Sequence, residues 1–374
     1  MSKKIKKIST LILILIAFIY CNEKKERKIE KKSIKEICFE VGFTTLRKFR
    51  GIYYDKKDNE EYFYFADPVT HKKIKIFDLK GHFKYEIPLF EFSKKLISID
   101  KILFSDKDSI LVLGSNTVYL TDESGKIRNT TNLNRLSSKN DFYTYLLPQT
   151  TNFTDNYKSL LFNCDWRYNL NKEYKYYYED CFYKSRFVKI KNIFDSKKIE
   201  YKFSDNFYSN ISKEPKNYFE LLQFHIKDNK IYTMSCYSEY LFIYDFNTLK
   251  PLKKIKIISN STDISIKPTN ANIDMDSEAY HKLFANYGFI NNIKINNQNI
   301  YLTFNLNVKG EDINISERPF TILKYDNNFK KINEITFYDK TYCGSSVKLI
   351  KQGLLLENLK KSTNEKTFYT LFDY

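Results

Sequence analysis

The sequence predicts an all-β protein: a six-bladed β-propeller of four-stranded antiparallel blades, the last blade closed by a strand from the N-terminus. Three observations carry that expectation. A strand-like run ending in Asp recurs six times, as KIKIFD (Lys73–Asp78), TVYLTD (Thr117–Asp122), VKIKNIFD (Val188–Asp195), YLFIYD (Tyr240–Asp245), TILKYD (Thr321–Asp326) and FYTLFD (Phe368–Asp373). Successive Asp residues stand 44, 73, 50, 81 and 47 residues apart. The shorter intervals match the roughly 40–50 residues of a four-stranded blade, and the longer two leave room for insertions. The sixth Asp is the penultimate residue, so the last blade lacks an outer strand at the C-terminus. Ile34–Val41 is a spare strand that can supply it, closing the ring and removing an open edge.

Taken in chain order, residues 1–20 read as a signal peptide. Lys3, Lys4, Lys6 and Lys7 precede an unbroken apolar run of ten residues, Leu11–Tyr20. A spanning helix needs about 17–25 residues, so this run is too short to be one. Cys21 follows at once, then a Lys/Glu-rich tether over 21–33. The order resembles a bacterial lipoprotein signal, which implies lipidation at Cys21. A plain secretory signal or an uncleaved anchor is the alternative, because Tyr20 rather than a small residue precedes the Cys. All of these export the body to the cell envelope, as an outer-membrane lipoprotein or a periplasmic protein.

Residues 34–374 are predicted to form one domain, with blades at about 51–89, 97–133, 146–204, 218–257, 287–337 and 341–374, the last joined by 34–41. Two further strands precede most Asp motifs: GIYYD and EYFYFAD, KILFSD and SILVLGS, LLQFHIKD and KIYTMSCYS, FINNIKIN and NIYLTFNL. A short polar turn and another alternating strand follow five of the six, as in DLKGHFKYEIPL. An Asp opening a tight turn accepts backbone N–H bonds, so these Asp residues are read as structural.

Composition narrows the function classes. With 42% hydrophobic and 17% aromatic residues, 31 of them Tyr and 31 Phe, the chain has ample core material and is not disordered. Its 62 Lys+Arg against 45 Asp+Glu give a net charge of +17, and losing the four leader lysines takes this to +13. Only 8 of the 62 cations are Arg. Phosphate and base recognition favours the Arg fork, so the lysines are read as solvating the surface, and no nucleic-acid partner is expected. Beyond Cys21 the cysteines are Cys38, Cys164, Cys181, Cys236 and Cys343, with no C-x-x-C pair and dispersed His. Neither a metal nor any other cofactor is expected. A monomer is.

The leader, the six strand–turn units, the closure strand and the Tyr/Phe–Asp turns resemble the six-bladed β-propeller lipoproteins of Bacteroidetes, of the TolB-like type with a domain of unknown function. Tyr287–Leu306, YGFINNIKINNQNIYLTFNL, is similar to the fifth-blade pattern of that type. The resemblance spans residues 34–374 and brings no catalytic residues with it.

Function is expected on one face. Asn134–Leu146, Cys164–Phe187, Asn206–Tyr218, Ser259–Asn286 and Asn307–Pro319 all connect second to third strands or one blade to the next, and such connections emerge together. Cys164–Phe187 is the richest. Folded as a hairpin about Lys172–Glu173, it sets Cys164 opposite Cys181 as a candidate disulfide, Trp166 opposite Glu179 and Tyr168 opposite Tyr177. Trp166, Arg167, Tyr168, Tyr177, Glu179 and, on a short predicted helix in Ser259–Asn286, His281 are the candidate binding residues. Packing of the hairpin on its neighbours is the competing reading.

The expected role is a binding or scaffold protein for a carbohydrate, peptide or protein; the alternative is a propeller hydrolase or lyase with its site at the channel mouth. No nucleophile elbow, zincin or phosphate-loop motif occurs, and no residue is assigned as catalytic. Asp55, Asp106, Asp155 and Asp228 end first strands, where turn chemistry accounts for them, and His225 lies on a strand nearest the channel. Convergent carboxylates and His with shifted pKa values would mark the enzyme, and an aromatic concave face the binding protein.

Overall fold

A computed structural model of the protein describes residues 33–43, 49–55, 57–67, 70–94, 99, 101–114, 117–132, 143–145, 152–153, 159–165, 187–195, 198–205, 222–235, 238–262, 264, 288–308 and 317–374. Six antiparallel sheets follow one another along the chain. Blade one holds β2 (Phe49–Asp55), β3 (Glu60–Asp67), β4 (Lys73–Asp78) and β5 (Phe83–Pro88). Blade two holds β6 (Lys101–Asp106), β7 (Ser109–Gly114), β8 (Thr117–Thr121) and β9 (Ile127–Asn132). In blade three the innermost strand is split into β10 (Tyr143–Tyr145) and β11 (Asn152–Phe153), both paired with β12 (Ser159–Asp165), and β13 (Phe187–Lys191) and β14 (Glu200–Phe203) lie outside.

Blade four comprises β15 (Leu222–Lys227), β16 (Lys230–Ser235), β17 (Tyr240–Asp245) and β18 (Pro251–Lys256). Blade five comprises β19 (Phe289–Ile295), β20 (Asn299–Asn305), β21 (Phe320–Asp326) and β22 (Lys331–Phe337). Blade six is built from β23 (Lys348–Ile350), β24 (Gly353–Glu357), β25 (Lys366–Phe372) and the N-terminal β1 (Ser33–Glu40). β1 runs antiparallel to β25, with Ile37 opposite Tyr369 and Phe39 opposite Thr367, so the closure expected from the sequence is present.

The core is a ring of seams. Among the described residues there are six apolar clusters, and each joins two neighbouring blades. The closing seam is aromatic. Phe39 of β1 is fully buried, with its ring 4.7 Å from Phe63 and 5.4 Å from Phe65 of blade one and 6.0 Å from Tyr369 of blade six. One cluster for each blade junction, first to last included, describes a closed propeller.

The repeated Asp residues act as turn caps. The Asp78 carboxylate accepts the N–H groups of Lys80 and His82, both at 2.9 Å. Asp122 accepts from Ser124 (2.8 Å), Asp245 from Asn247 (3.0 Å) and Thr248 (2.6 Å), and Asp326 from Asn328 (2.9 Å) and Lys330 (2.8 Å). A register shift just before the Asp recurs in the same four blades, at Ile76/Phe77, Leu120/Thr121, Ile243/Tyr244 and Lys324/Tyr325. Burial raises the Asp78 pKa, but the backbone and side-chain hydrogen bonds it accepts from His82, Lys84 and Lys80 outweigh this and hold it at about 2.

Blade three departs from the repeat. β13 stops at Lys191 opposite Glu200, and Asn192 takes the left-handed conformation (φ 52°) and donates its side-chain amide to Lys198 O at 3.0 Å. Asp195 therefore sits inside the turn instead of ending the strand.

Candidate functional site

The innermost strands of five blades line one axial cavity of about 510 Å³. Each of the five presents a basic side chain to it: Arg50 of β2, Lys101 of β6, His225 of β15, Lys294 of β19 and Lys348 of β23. Lys101 and Lys348 open their strands, and Lys294 is next to last on β19. Among the described residues, Glu61 is the one carboxylate in the lining.

Polar bonds between blades hold this wall in place. The Tyr64 hydroxyl of blade one donates to Ile102 O of blade two at 2.7 Å. A Cβ on Gly51 would come within 2.5 Å of the Tyr64 ring, so the absence of a side chain at residue 51 makes room for that bridge. The Asn292 amide donates to Val347 O at 3.2 Å, joining blades five and six. Lys351 N–H donates to Glu61 at 3.1 Å, and the Arg50 guanidinium donates to the buried Glu357 carboxylate, both joining blades six and one.

The cations are crowded. Burial and repulsion from Lys294 and Lys348 lower the Lys101 pKa to about 7. Burial, Lys294 and Arg50 lower Lys348 to about 7 as well, with Glu357 offsetting part of the effect, and burial lowers Lys294. His225 is pushed down to about 3 by burial, Lys294 and Lys227, so its imidazole is neutral at physiological pH. Among the described residues, no carboxylate pairs with Lys294 or Lys348. Low-dielectric sites amplify such repulsion, and neighbouring amine charges move down together. No group of three or more His, Cys, Asp or Glu residues placed to hold a metal ion occurs among the described residues.

The sequence-predicted site residues fall elsewhere. Trp166, Arg167, Tyr168, Tyr177, Glu179, Cys181, His281 and Cys21 lie outside the described residues. Cys164 is on β12, its backbone opposite Thr144 of β10. The long connections also fall largely outside them, but the strand ends that bracket them belong to second or fourth strands and the strands that follow, which antiparallel alternation sets on one face.

Asp55 is buried and accepts the Lys57 N–H at 2.8 Å; Asp228 is exposed at φ 49°. Both are turn residues. His225 does line the channel, but in the company of lysines instead of carboxylates. The sequence reading of the lysines as surface solvation missed Lys101, Lys294 and Lys348. Each lies on the innermost strand of its blade, and comparing the six innermost strands for basic residues is the signal that would have found them.

No protein-family model and no curated protein matches the sequence. Among solved structures, the chain is similar to a member of the DUF4221 family from Bacteroides vulgatus, with a TM-score of 0.71 and 16% identity over 93% of this chain and 99% of that one. The fold is that of a six-bladed β-propeller. A Bacteroides fragilis protein described as exported gives a TM-score of 0.47 at 12% identity, over 91% of this chain and 92% of that one. At 16% identity the likeness to the Bacteroides vulgatus protein is one of architecture.

Proposed function

We propose that the protein is an exported binding protein of the cell envelope that holds a small ligand in its axial cavity. The observation that carries this reading is a space of about 510 Å³ walled by five blades and cross-linked by polar bonds. Ligand pockets run about 300–1,000 Å³, are largely pre-formed and concentrate a few placed polar groups. The leader over 1–20 supports export, and Cys21 is the proposed lipid anchor. The loop-bearing face, with Trp166, Arg167, Tyr168, Tyr177, Glu179 and His281, is a second contact surface for a carbohydrate, peptide or protein, worked by a monomer.

The test is a thermal-shift panel of small organic compounds on the mature chain and on Leu103→Trp, which narrows the cavity. Ligands that raise the melting temperature of the wild type and leave Leu103→Trp unmoved are the expected result. A panel with no stabilising member, or one that stabilises both proteins equally, removes the reading. For the anchor, mass spectrometry of the mature N-terminus is expected to show a lipid-modified Cys21, and an unmodified chain extending upstream of it excludes lipidation.

One observation favours enzyme chemistry as a second reading. Lys101 and Lys348 lose their protons near pH 7, and a neutral amine in a cavity can attack a carbonyl. Selective borohydride trapping of a small aldehyde on either lysine would support it; labelling spread over the surface lysines removes it.

A further inference from the structure

We propose that the axial cavity binds a small organic oxyanion of sugar-acid size, its negative group held between Lys294, Lys348, Lys101 and Arg50. The inference rests on the reading of the cavity as a ligand site and assigns its ligand class. Four permanently cationic or protonatable side chains from blades one, two, five and six converge there, whereas the described lining residues include one carboxylate, Glu61. Arg50 is already engaged with Glu357, and Glu61 accepts the Lys351 N–H.

Placing lysines beside one another in a confined space costs free energy in the unliganded protein. Burial first, and then their like-charged neighbours, lower the proton affinity of Lys101 and Lys348, so an oxyanion among them offsets an existing repulsion. Three separate lysine ammoniums, carried by blades two, five and six, act as point charges. That geometry suits a carboxylate or phosphate near the axis better than a planar group gripped by a single fork.

The rest of the lining says what carries the charge. Gln223, Asn291, Asn292 and Ser345 put amide and hydroxyl groups in the lining, the Asn291 amide also donating to Asn305 and the Asn292 amide to Val347 O, and Tyr54 adds a ring. Amides, hydroxyls and aromatic faces are the usual partners of a hydroxylated ring. A nucleic acid or protein segment is poorly matched to a site enclosed by five blades and about 510 Å³ in volume.

The experiment uses the mature chain, with D-glucose, D-glucuronate, glucose 6-phosphate and citrate as probes, at one ionic strength, by titration calorimetry. Glucuronate and glucose 6-phosphate differ from glucose by an oxyanion, and comparing them separates carboxylate from phosphate. Citrate tests charge without a sugar ring. At least one acid is expected to bind at least about tenfold more tightly than glucose, and K294M/K348M to lose at least about tenfold of that affinity. K253M/K254M, on the exposed outer strand β18, is expected to bind like the wild type.

Glucose binding as tightly as the acids overturns the inference, and so does wild-type acid affinity in K294M/K348M. Neutral panel compounds binding in a manner abolished by Leu103→Trp, with none of the acids binding, overturns the anion assignment while the ligand cavity stands. No binding by any probe or panel member brings down both.

Discussion

On the outer strand β18, Lys253, Lys254 and Lys256 stand in water. Lys256 lies 3.2 Å from Glu239, and the Lys254 ammonium is 4.1 Å from the centre of the Tyr240 ring. At the closure strand, Lys366 of β25 pairs with Glu40 at 2.9 Å, and Lys361, in the turn before β25, with Glu36 at 2.7 Å. At the axis, Lys101, Lys294 and Lys348 share one cavity and repel one another. The same residue type therefore has opposite energetic meanings at the two radii. Outer-edge lysines keep their hydration, discourage edge-to-edge pairing and cost little. Axial lysines give up hydration and gain like-charged neighbours, a standing cost that folding alone does not explain. Tolerated cost concentrated in a cavity is where function is to be sought.

Removing a carboxylate at each radius should expose that difference most sharply. Glu357→Gln takes the counter-charge from Arg50 while leaving the guanidinium mostly enclosed, with 28% of its side chain exposed and 6% of that of Glu357. The expected loss is about 2–3 kcal/mol, below the roughly 3–5 for a fully buried pair because Arg50 keeps some water. Glu40→Gln breaks the exposed Lys366 pair and should leave the urea midpoint unchanged within error. Equal effects from the two substitutions would erase the distinction between axis and edge.

Neutralising lysines should show the reverse sign. K294M/K348M removes two crowded ammoniums and keeps the chain volume, so the unliganded protein is expected to gain about 1–2 kcal/mol and melt a few degrees higher. K253M/K254M on β18 should stay within about 0.5 kcal/mol of the wild type and aggregate more readily, having lost the charges that guard an edge. A destabilised axial variant with an unaffected edge variant would show that the lysines support the fold instead of burdening it.

The two radii also differ in how far they could be read in advance. The blades were legible because each Asp cap is local: Asp78, Asp122, Asp245 and Asp326 each satisfy N–H groups within four residues. Where another residue took over the turn, at Asn192, the pattern misplaced the strand end. The axial cations were hidden for a physical reason. Period-two alternation separates polar from apolar positions, but a lysine beside a tunnel and one beside bulk water give the same pattern. Lys294 in FINNIKIN looks no different from Lys254 in PLKKIK. Only ring closure, which brings residues 50, 101, 225, 294 and 348 to one axis, makes a cluster of them.

The smallest effect, and the most diagnostic, is on pH. Lys101 and Lys348 are held at about 7 in the folded protein, against 10.5 for an ordinary lysine. Between these values the unfolded chain carries protons that the folded one has released, so stability rises with pH across that window. Lys366 has the opposite sign. Its hydrogen bond and attraction to Glu40 raise its pKa, so its contribution is present below 10.5 and fades as pH climbs through the raised value. From pH 7 to 9.5 the axial lysines should dominate, giving the wild type a urea midpoint that increases with pH. In Lys348→Met that increase should be visibly shallower, whereas Lys366→Met should keep it. Lys189, lowered to about 8 by burial and by Lys191 and Lys202, adds a slope of the same sign to all three proteins, so the comparison between them isolates the axis. Affinity for an acidic ligand should move against stability, weakening as the same rise in pH discharges Lys101 and Lys348. A Lys348→Met protein that reproduces the wild-type slope would place the charge cost outside the cavity and return its lysines to the solvated class.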